Sequence, residues 1–356
     1  MRIAYGIHGY GRGHSSRALA VLPELGRRHE LLILAGGDAW RALKDDYPVV
    51  RIPMLKYTLG RSGRIAPVKT ILYSVPKVAD LALRGPALEM VADVLAEFAP
   101  DVVISDSEPW THGAAHNLRL PRISFDHFGV LVWCDWPMTG LDKARCRMEG
   151  LIYRRMMSAP ADRTVIVSFY APPTRREGVR VVGPVLRDLV AQTSPADGDF
   201  LMVYFSNGHI HFTPRVEAAL KELDCPVVVY GVRREGAEAN LDFRPPSNTR
   251  FVEDLSRCRA VFATAGNQLI SEAMFFRKPM LLLPEDSLEQ RLNAAAIEQM
   301  DIGMRTHRDT VTADQLRQFL SHRDRFAANI PPTPADGQAR AVAAIEEYAR
   351  ELTGKL

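Results

Sequence analysis

Residues 264–293 read TAGNQLISEAMFFRKPMLLLPEDSLEQRLN. Thr264, Ala265 and Gly266 follow an apolar run at 260–263, so a turn of small residues should lie at the carboxyl end of a strand, where open α/β sheets bind ligands. Asn267 and Gln268 then open a helix whose free N–H groups and positive dipole end suit a diphosphate. Glu272, further along, is a carboxylate able to take two hydrogen bonds from a ribose diol. Pro279 leads into a strand at 280–283, and beyond it Glu285, Asp286, Glu289, Gln290 and Asn293 are groups of the kind that recognise sugar hydroxyls. Together they outline a site for a sugar nucleotide. A glycine at such a turn also has a purely structural reading, and this stretch alone does not separate the two.

Four further clusters share the position after a strand. His8-Gly9-Tyr10-Gly11-Arg12-Gly13-His14 precedes a helix expected over 16–28, and the place of the last glycine in a dinucleotide fingerprint is taken by His14. The dipole at a helix start works against a protonated imidazole, which suits a proton-accepting base; a cap or turn filler is the other reading. Asp106 closes the run at 101–105 and could fix the tautomer of such a base, although an Asp there often just caps the next helix, and Glu108 is a second carboxylate. Asp126 and His127 end the run at 122–125 and are expected to contact an acceptor or serve the structure, as is His8. Ser206, Asn207 and Gly208 close the run at 201–205, where they could reach donor phosphates; His209 and His211 could help neutralise them or be ordinary loop residues.

The elements that must position these groups alternate strand and helix twice. Strand-like runs at 3–7, 31–35, 49–52, 102–105, 122–124 and 164–167, with helices at 16–28 and 86–98, imply a parallel sheet covered on both faces. Ala171-Pro172-Pro173 and the charged 175–178 look like a break, and runs at 201–205, 227–230, 260–263 and 280–283 repeat the pattern. The expected organisation is a first Rossmann-like domain over 1–172, a linker over 173–186, a second domain over 187–336 and a terminal helix over 337–356.

Composition fits a soluble two-domain enzyme. The 356 residues exceed what one core usually supports, 47% are apolar and 24% charged, and the net charge of +3 is too mild to suggest nucleic acid. Cys134, Cys146, Cys225 and Cys258 lack paired spacing, so neither zinc site nor disulfide framework is expected, and no Asp-x-Asp cluster suggests a metal or other cofactor. The N-terminus enters a strand at once and no apolar run reaches a membrane span, so a cytoplasmic location is expected.

The segment 264–293 resembles the donor signature of the GT-B glycosyltransferases, the plant and natural-product glucosyltransferases and the lipid-linked muramyl-peptide N-acetylglucosaminyltransferase. Gly266, Glu272, Pro279, Glu289, Gln290 and Asn293 match that pattern, with one extra residue between Pro284 and Glu289. Thr264 and Asn267 depart from it, standing where many plant-type enzymes carry His and Trp. The resemblance implies two Rossmann-like domains facing across a cleft, a terminal helix crossing back to the first, and a nucleoside-diphosphate sugar as co-substrate. It further implies that His14 is the catalytic base or holds the acceptor, that Gly13 and the rest of its loop lie near the acceptor, and that Asp106 pairs with His14. By the same resemblance Ser206, Asn207 and Gly208 meet the donor phosphates, and the main chain at Phe251 and Val252, in a segment read as preceding a helix, greets the nucleobase. The expected reaction is metal-independent transfer of a sugar from a UDP- or dTDP-sugar to an acceptor hydroxyl, with inversion if the displacement is direct, retention being the other outcome the same architecture allows. A sugar-nucleotide 2-epimerase and a non-catalytic nucleotide-sugar-binding protein are the competing classes.

The acceptor is left open as a small molecule, a glycan or a lipid-linked sugar. Lys56, Arg61, Arg64, Lys69, Lys77 and Arg84 are interleaved with Ile71, Leu72, Tyr73, Val75 and Leu81, and 143–157 is another basic, apolar-rich stretch. Such segments can rest on anionic lipid; a solvated helix face, a lid and a pocket for an anionic acceptor are the other readings.

Overall fold

The computed structural model describes residues 1–58, 60, 66–135, 140–156 and 160–355. The chain divides into two compact units. One comprises Met1–Thr58, Ala66–Arg187 and Asp336–Leu356, and the other is built on Asp188–Ala335.

The first unit holds strands β1 (Arg2–Ile7), β2 (Glu30–Ala35), β3 (Val49–Arg51), β4 (Val102–Asp106), β5 (Arg122–Asp126), β6 (Arg163–Val167) and β7 (Val179–Val182). They form one parallel sheet in the order β3-β2-β1-β4-β5-β6-β7. β4 and β5 are buried along their whole length and β1 nearly so, as expected of a parallel sheet covered on both faces. The order reverses between β1 and β4, so the carboxyl ends of those two strands flank the switch point where such sheets take ligands.

The second unit holds β8 (Leu201–Tyr204), β9 (Val227–Tyr230), β10 (Gly236–Glu238), β11 (Leu241–Phe243), β12 (Ala260–Ala263), β13 (Met280–Leu282) and β14 (Gly303–Arg305). Their order is β10-β11-β9-β8-β12-β13-β14, parallel except for the edge hairpin β10-β11, and the switch point lies between β8 and β12.

One feature differs from the sequence expectation. The stretch 173–186 is not simply a linker, because Val179–Val182 within it pairs along β6 as the edge strand of the first sheet. The charged run at 175–178 conceals this strand; it ends in Gly178, whose φ of 72° makes the turn into β7. The terminal helix Gly337–Thr353 belongs to the first unit, where Ala341, Val342, Ile345 and Tyr348 share a core with Ile3, Ile7 and Val165. Arg180 on β7 makes a paired contact with Glu347 of that helix, at 2.7 and 2.8 Å.

Candidate active site

The helix after β1 runs Arg12–Arg28, beginning four residues earlier than the sequence suggests, so Gly13 and His14 lie in its first turn rather than before it. Its N-cap, Gly11, has φ 78°, a conformation that favours glycine. The turn is held by the Asp38 side chain, which accepts from the Gly11 N–H at 3.2 Å, and by the Asp38 N–H, which donates to the Gly9 carbonyl at 2.8 Å. No atom lies within 4 Å of where a Cβ on Gly13 would sit. A glycine inside a helix costs about 0.5–1 kcal/mol relative to alanine, and no neighbour here requires it.

His14 Nδ1 lies 2.8 Å from Asp106 Oδ1 at the end of β4. Arg17, one turn along the helix, donates from Nε to Asp106 Oδ2 at 3.0 Å and from Nη2 to Oδ1 at 2.5 Å, and its Nη2 is 3.1 Å from His14 Nδ1. Burial alone would raise the Asp106 carboxyl; the Arg17 charge, together with His14 and the hydrogen bonds of both, outweighs it and holds Asp106 below the usual carboxylate range. An ionised carboxylate only accepts, so the proton belongs on His14 Nδ1, since the opposite tautomer would set two lone pairs against each other at 2.8 Å. Nε2 is then the atom able to take a proton. The Asp106 side chain is fully buried, whereas that of His14 is 23% exposed.

His8 packs edge-on against His14 with ring centroids 5.1 Å apart, and burial, then the neighbouring His14, lowers its pKa to about 3. It is a neutral ring at ordinary pH. Asp106 does not cap the following helix; Glu108 does, accepting from the N–H groups of Trp110 and Thr111 at 2.9 and 2.6 Å. Between them Ser107 sits at φ 52°, a left-handed conformation that a non-glycine residue adopts at a cost. Asp126 is buried and accepts from Tyr153 Oη at 2.6 Å, the Gly129 N–H at 2.7 Å and Ser124 Oγ at 2.9 Å, while His127 Nδ1 lies 2.8 Å from the Val167 carbonyl. These bonds secure the loop after β5, which gives both residues a structural task.

In the second unit the loops after β8, β12 and β13 meet. Ser206 Oγ and Asn207 Nδ2 donate to Glu285 Oε1 at 2.8 and 2.7 Å, and Ser206 Oγ is 3.2 Å from Thr264 Oγ1. His211 Nε2 is 3.5 Å from the same carboxylate oxygen, within ion-pair reach but not in hydrogen-bond alignment. Burial would raise Glu285; the neighbouring His211 and the hydrogen bonds from Asn207 and Ser206 prevail and lower it. Gln290 Oε1 accepts from the N–H groups of both Ala265 and Glu285, at 3.0 and 2.9 Å, and Asn293 Nδ2 donates to the Ala265 carbonyl at 3.0 Å. Gln290 and Asn293 thus brace the Thr264–Gly266 turn. Glu289 is half-buried in the first turn of the helix Leu288–Gln299.

The helix Asn267–Phe275 starts at Gly266 with no side chain capping it. Gly266 has φ −75° and ψ 131°, which any residue adopts, and nothing lies within 4 Å of its Cβ position. Neither backbone nor packing calls for glycine there. Asn267 is buried, and neither polar atom of its side chain has a hydrogen-bond partner among the described residues. Gly208, by contrast, is structurally required: a Cβ would lie 2.1 Å from the Gly231 carbonyl. Glu272 is 2% exposed and accepts from Gln268 Nε2 at 3.0 Å.

The segment 250–253 does not precede a helix; it lies inside Asn248–Arg257, which Ser247 caps. The Phe251 N–H bonds the Ser247 carbonyl, and Val252, one step further along the ladder, has its N–H committed in the same way. Neither amide is available to a base. The Phe251 ring instead packs edge-on against Tyr204 and Tyr230, and the Val252 side chain is core. The roles of two residues go beyond the sequence reading. Arg17 is three residues from His14, hence on the same helix face, which is a readable signal. Glu285 was grouped with its polar neighbours, and nothing in their order marks it as the buried hub of three loops.

The family model for glycosyl transferase family 1 matches residues 1–323. An uncharacterized glycosyltransferase of Methanosarcina acetivorans is 27% identical over 337 residues, 85% of each chain. Among solved structures, the calicheamicin glycosyltransferase CalG4 superposes with a TM-score of 0.67 at 17% identity over 99% of both chains. The glycosyltransferase VinC, in complex with dTDP, gives 0.65 at 15% identity over 100% of both. The fold is GT-B, and this chain is a glycosyltransferase belonging to glycosyl transferase family 1.

Proposed function

We propose that the enzyme transfers a sugar from a UDP- or dTDP-sugar to an acceptor hydroxyl, with inversion and without a metal. The observation that carries the donor assignment is the Gly266-Asn267 start of a helix: no side chain caps it, its glycine has no structural cause, and its buried amide lacks a partner within the described protein. A donor diphosphate would supply the missing acceptors. The dTDP bound in VinC supports the same class of donor.

His14 Nε2 takes the proton as the acceptor oxygen bonds to the anomeric carbon. The bond from that carbon to the diphosphate breaks, and its electron pair leaves on the diphosphate oxygen. That charge develops against the helix start and the Asn267 amide, and single preorganised donors of this kind typically contribute about 2.7–4 kcal/mol to a barrier. One displacement from the face opposite the leaving group inverts the centre. Asp106 keeps the Nδ1 proton in place and faces the imidazolium once it forms. The test is nucleoside-diphosphate release from UDP- and dTDP-sugars in EDTA with a panel of alcohol acceptors. Acceptor-dependent release by the wild type, lost in His14→Gln with donor binding retained, is the expected result; rapid turnover without acceptor would favour an epimerase.

A specific observation also favours an acceptor presented at an anionic membrane surface. Helix Pro67–Leu83 exposes Val68, Ile71, Leu72 and Val75 at 69, 56, 71 and 56%, with Lys69 exposed beside them. Its only acid, Asp80, is occupied by the N–H groups of Ala87 and Leu88 and by Trp110 Nε1. Arg61 and Arg64 lie outside the described residues. No described helix is long and apolar enough to span a bilayer, so the contact is peripheral. Sedimentation with phosphatidylglycerol vesicles, but not with phosphatidylcholine vesicles, is expected, and Ile71→Ser/Leu72→Ser should abolish it.

A further inference from the structure

We propose that Arg17 is a positioning residue that neutralises Asp106, so that His14 faces a balanced ion pair rather than a lone carboxylate. The geometry is specific. Both Arg17 contacts to Asp106 come from the guanidinium edge formed by Nε and Nη2, so each carboxylate oxygen receives one, at 3.0 and 2.5 Å. The same Nη2 stands 3.1 Å from His14 Nδ1, so the cation bears on the imidazole directly as well as through the carboxylate. The side chains of Arg17 and Asp106 are 4% and 0% exposed, which leaves little water to screen either charge.

The other ionisable groups around this centre are few. His8 lies against the imidazole ring from the end of β1. Tyr5 of β1 and Asp126 of β5 act electrostatically on Arg17, and the Tyr5 hydroxyl is buried with no hydrogen-bond partner among the described residues. Asp38 meets the Gly11 amide at the helix start. None of these duplicates the Arg17–Asp106 contact.

The arrangement does two things. The paired contact fixes the plane of the carboxylate, so that Oδ1 points at His14 Nδ1 and the tautomer is set before substrate arrives. It also cancels most of the attraction that a buried carboxylate would exert on the imidazolium. The imidazole therefore faces little net charge, unlike that of a simple His–Asp pair. A carboxylate within about 4–6 Å normally moves a neighbouring group by roughly 1–3 pH units, and Arg17 works against that.

The two charges make opposite predictions. Arg17→Met leaves Asp106 uncompensated, so the His14 titration midpoint should rise by about one pH unit or more, and Asp106→Asn leaves the guanidinium uncompensated, so it should fall. The midpoints are read from the imidazole C–H proton resonances of the resting protein, with His14 assigned from the spectrum of His14→Gln. Arg17→Lys should restore part of the wild-type value. Removing one partner of a buried pair is destabilising, and Arg17→Met could fail to fold. The double variant Arg17→Met/Asp106→Asn, which strands neither charge, then serves in its place: Asp106→Asn alone should titrate at lower pH than the double.

Shifts in opposite directions, or that ordering of single and double variants, support the proposal. Equal midpoints, or shifts in one direction, would overturn it and leave Arg17 a structural residue. The proposal takes from the functional reading only that His14 is the base. Because the titration is read without substrate, it can succeed even if His14→Gln retains full transfer, so the two failures are distinguishable. If His14 is the base, the acid limb of kcat/KM should follow the same opposite displacements.

Discussion

Gly266→Ala separates a glycine kept for a ligand from one kept for the fold. The residue sits at φ −75° and ψ 131°, and its Cβ position is empty to 4 Å, so a methyl group meets no strain and no clash. Two small terms remain. Alanine loses less backbone entropy on folding than glycine, a gain of about 0.4–1 kcal/mol, but it is the poorer N-cap by a similar amount. They nearly cancel, leaving about ±0.5 kcal/mol, which for a unit of this size moves Tm by no more than roughly 2 °C. Donor affinity should respond quite differently, because the methyl occupies the space through which a diphosphate approaches the helix start. A ligand at 100 times its Kd stabilises by about 2.7 kcal/mol, and a tenfold weaker Kd removes about half of that. The assay is a thermal melt with and without UDP or dTDP in EDTA. The variant should melt like the wild type alone and lose at least half of the nucleotide-induced shift. Gly208→Ala is the control, since its Cβ would lie 2.1 Å from the Gly231 carbonyl and the apo protein itself should melt early. Full retention of the nucleotide shift in Gly266→Ala would refute the donor assignment.

Three other consequences follow from the geometry. Burial pushes the Glu108 carboxyl up to about 7 from its ordinary 4.5, so between those values the folded chain keeps a proton that the unfolded chain has lost. Stability from this group is complete below the lower value and declines as pH rises through the upper one, so Glu108→Gln should improve relative to wild type by roughly 2–3 kcal/mol in urea melts between pH 5 and pH 8. Ser107→Gly relieves a left-handed residue worth about 1–2 kcal/mol while adding about 0.4–1 kcal/mol of unfolded-state entropy, so modest net stabilisation is expected, and a loss above 1 kcal/mol would contradict it. Ile345→Ala, a fully buried position on the terminal helix, should cost about 2–5 kcal/mol in chemical denaturation, where a change near zero would deny that helix its place in the first core.

Much of the fold was legible because parallel strands buried on both faces appear as uninterrupted apolar runs, as at 102–104 and 260–263. The strands that escaped are short or on an edge. β7 follows a charged run and carries Arg180, whose partner Glu347 lies far along the chain, while β10 and β11 have three residues each and β14 likewise. The neighbourhood of His14 and Asp106 was readable because both residues end or follow strands that pair in register, with Ile7 beside Asp106. Arg17 needed only helical spacing to be noticed. Glu285 and Gln290 could not be assigned in advance, because their hydrogen bonds join three loops whose approach is set by the whole sheet. The segment 250–253 is the opposite case: its helix is marked locally, by the Ser247 cap just upstream.

The most direct test of the donor site is a crystal structure grown with dTDP, and a second with UDP. The account predicts diphosphate oxygens within hydrogen-bond distance of the main chain at 266–268 and of Asn267 Nδ2, with Glu285 still bound to Ser206 and Asn207. A diphosphate bound elsewhere, with the Gly266 turn unoccupied, would contradict it.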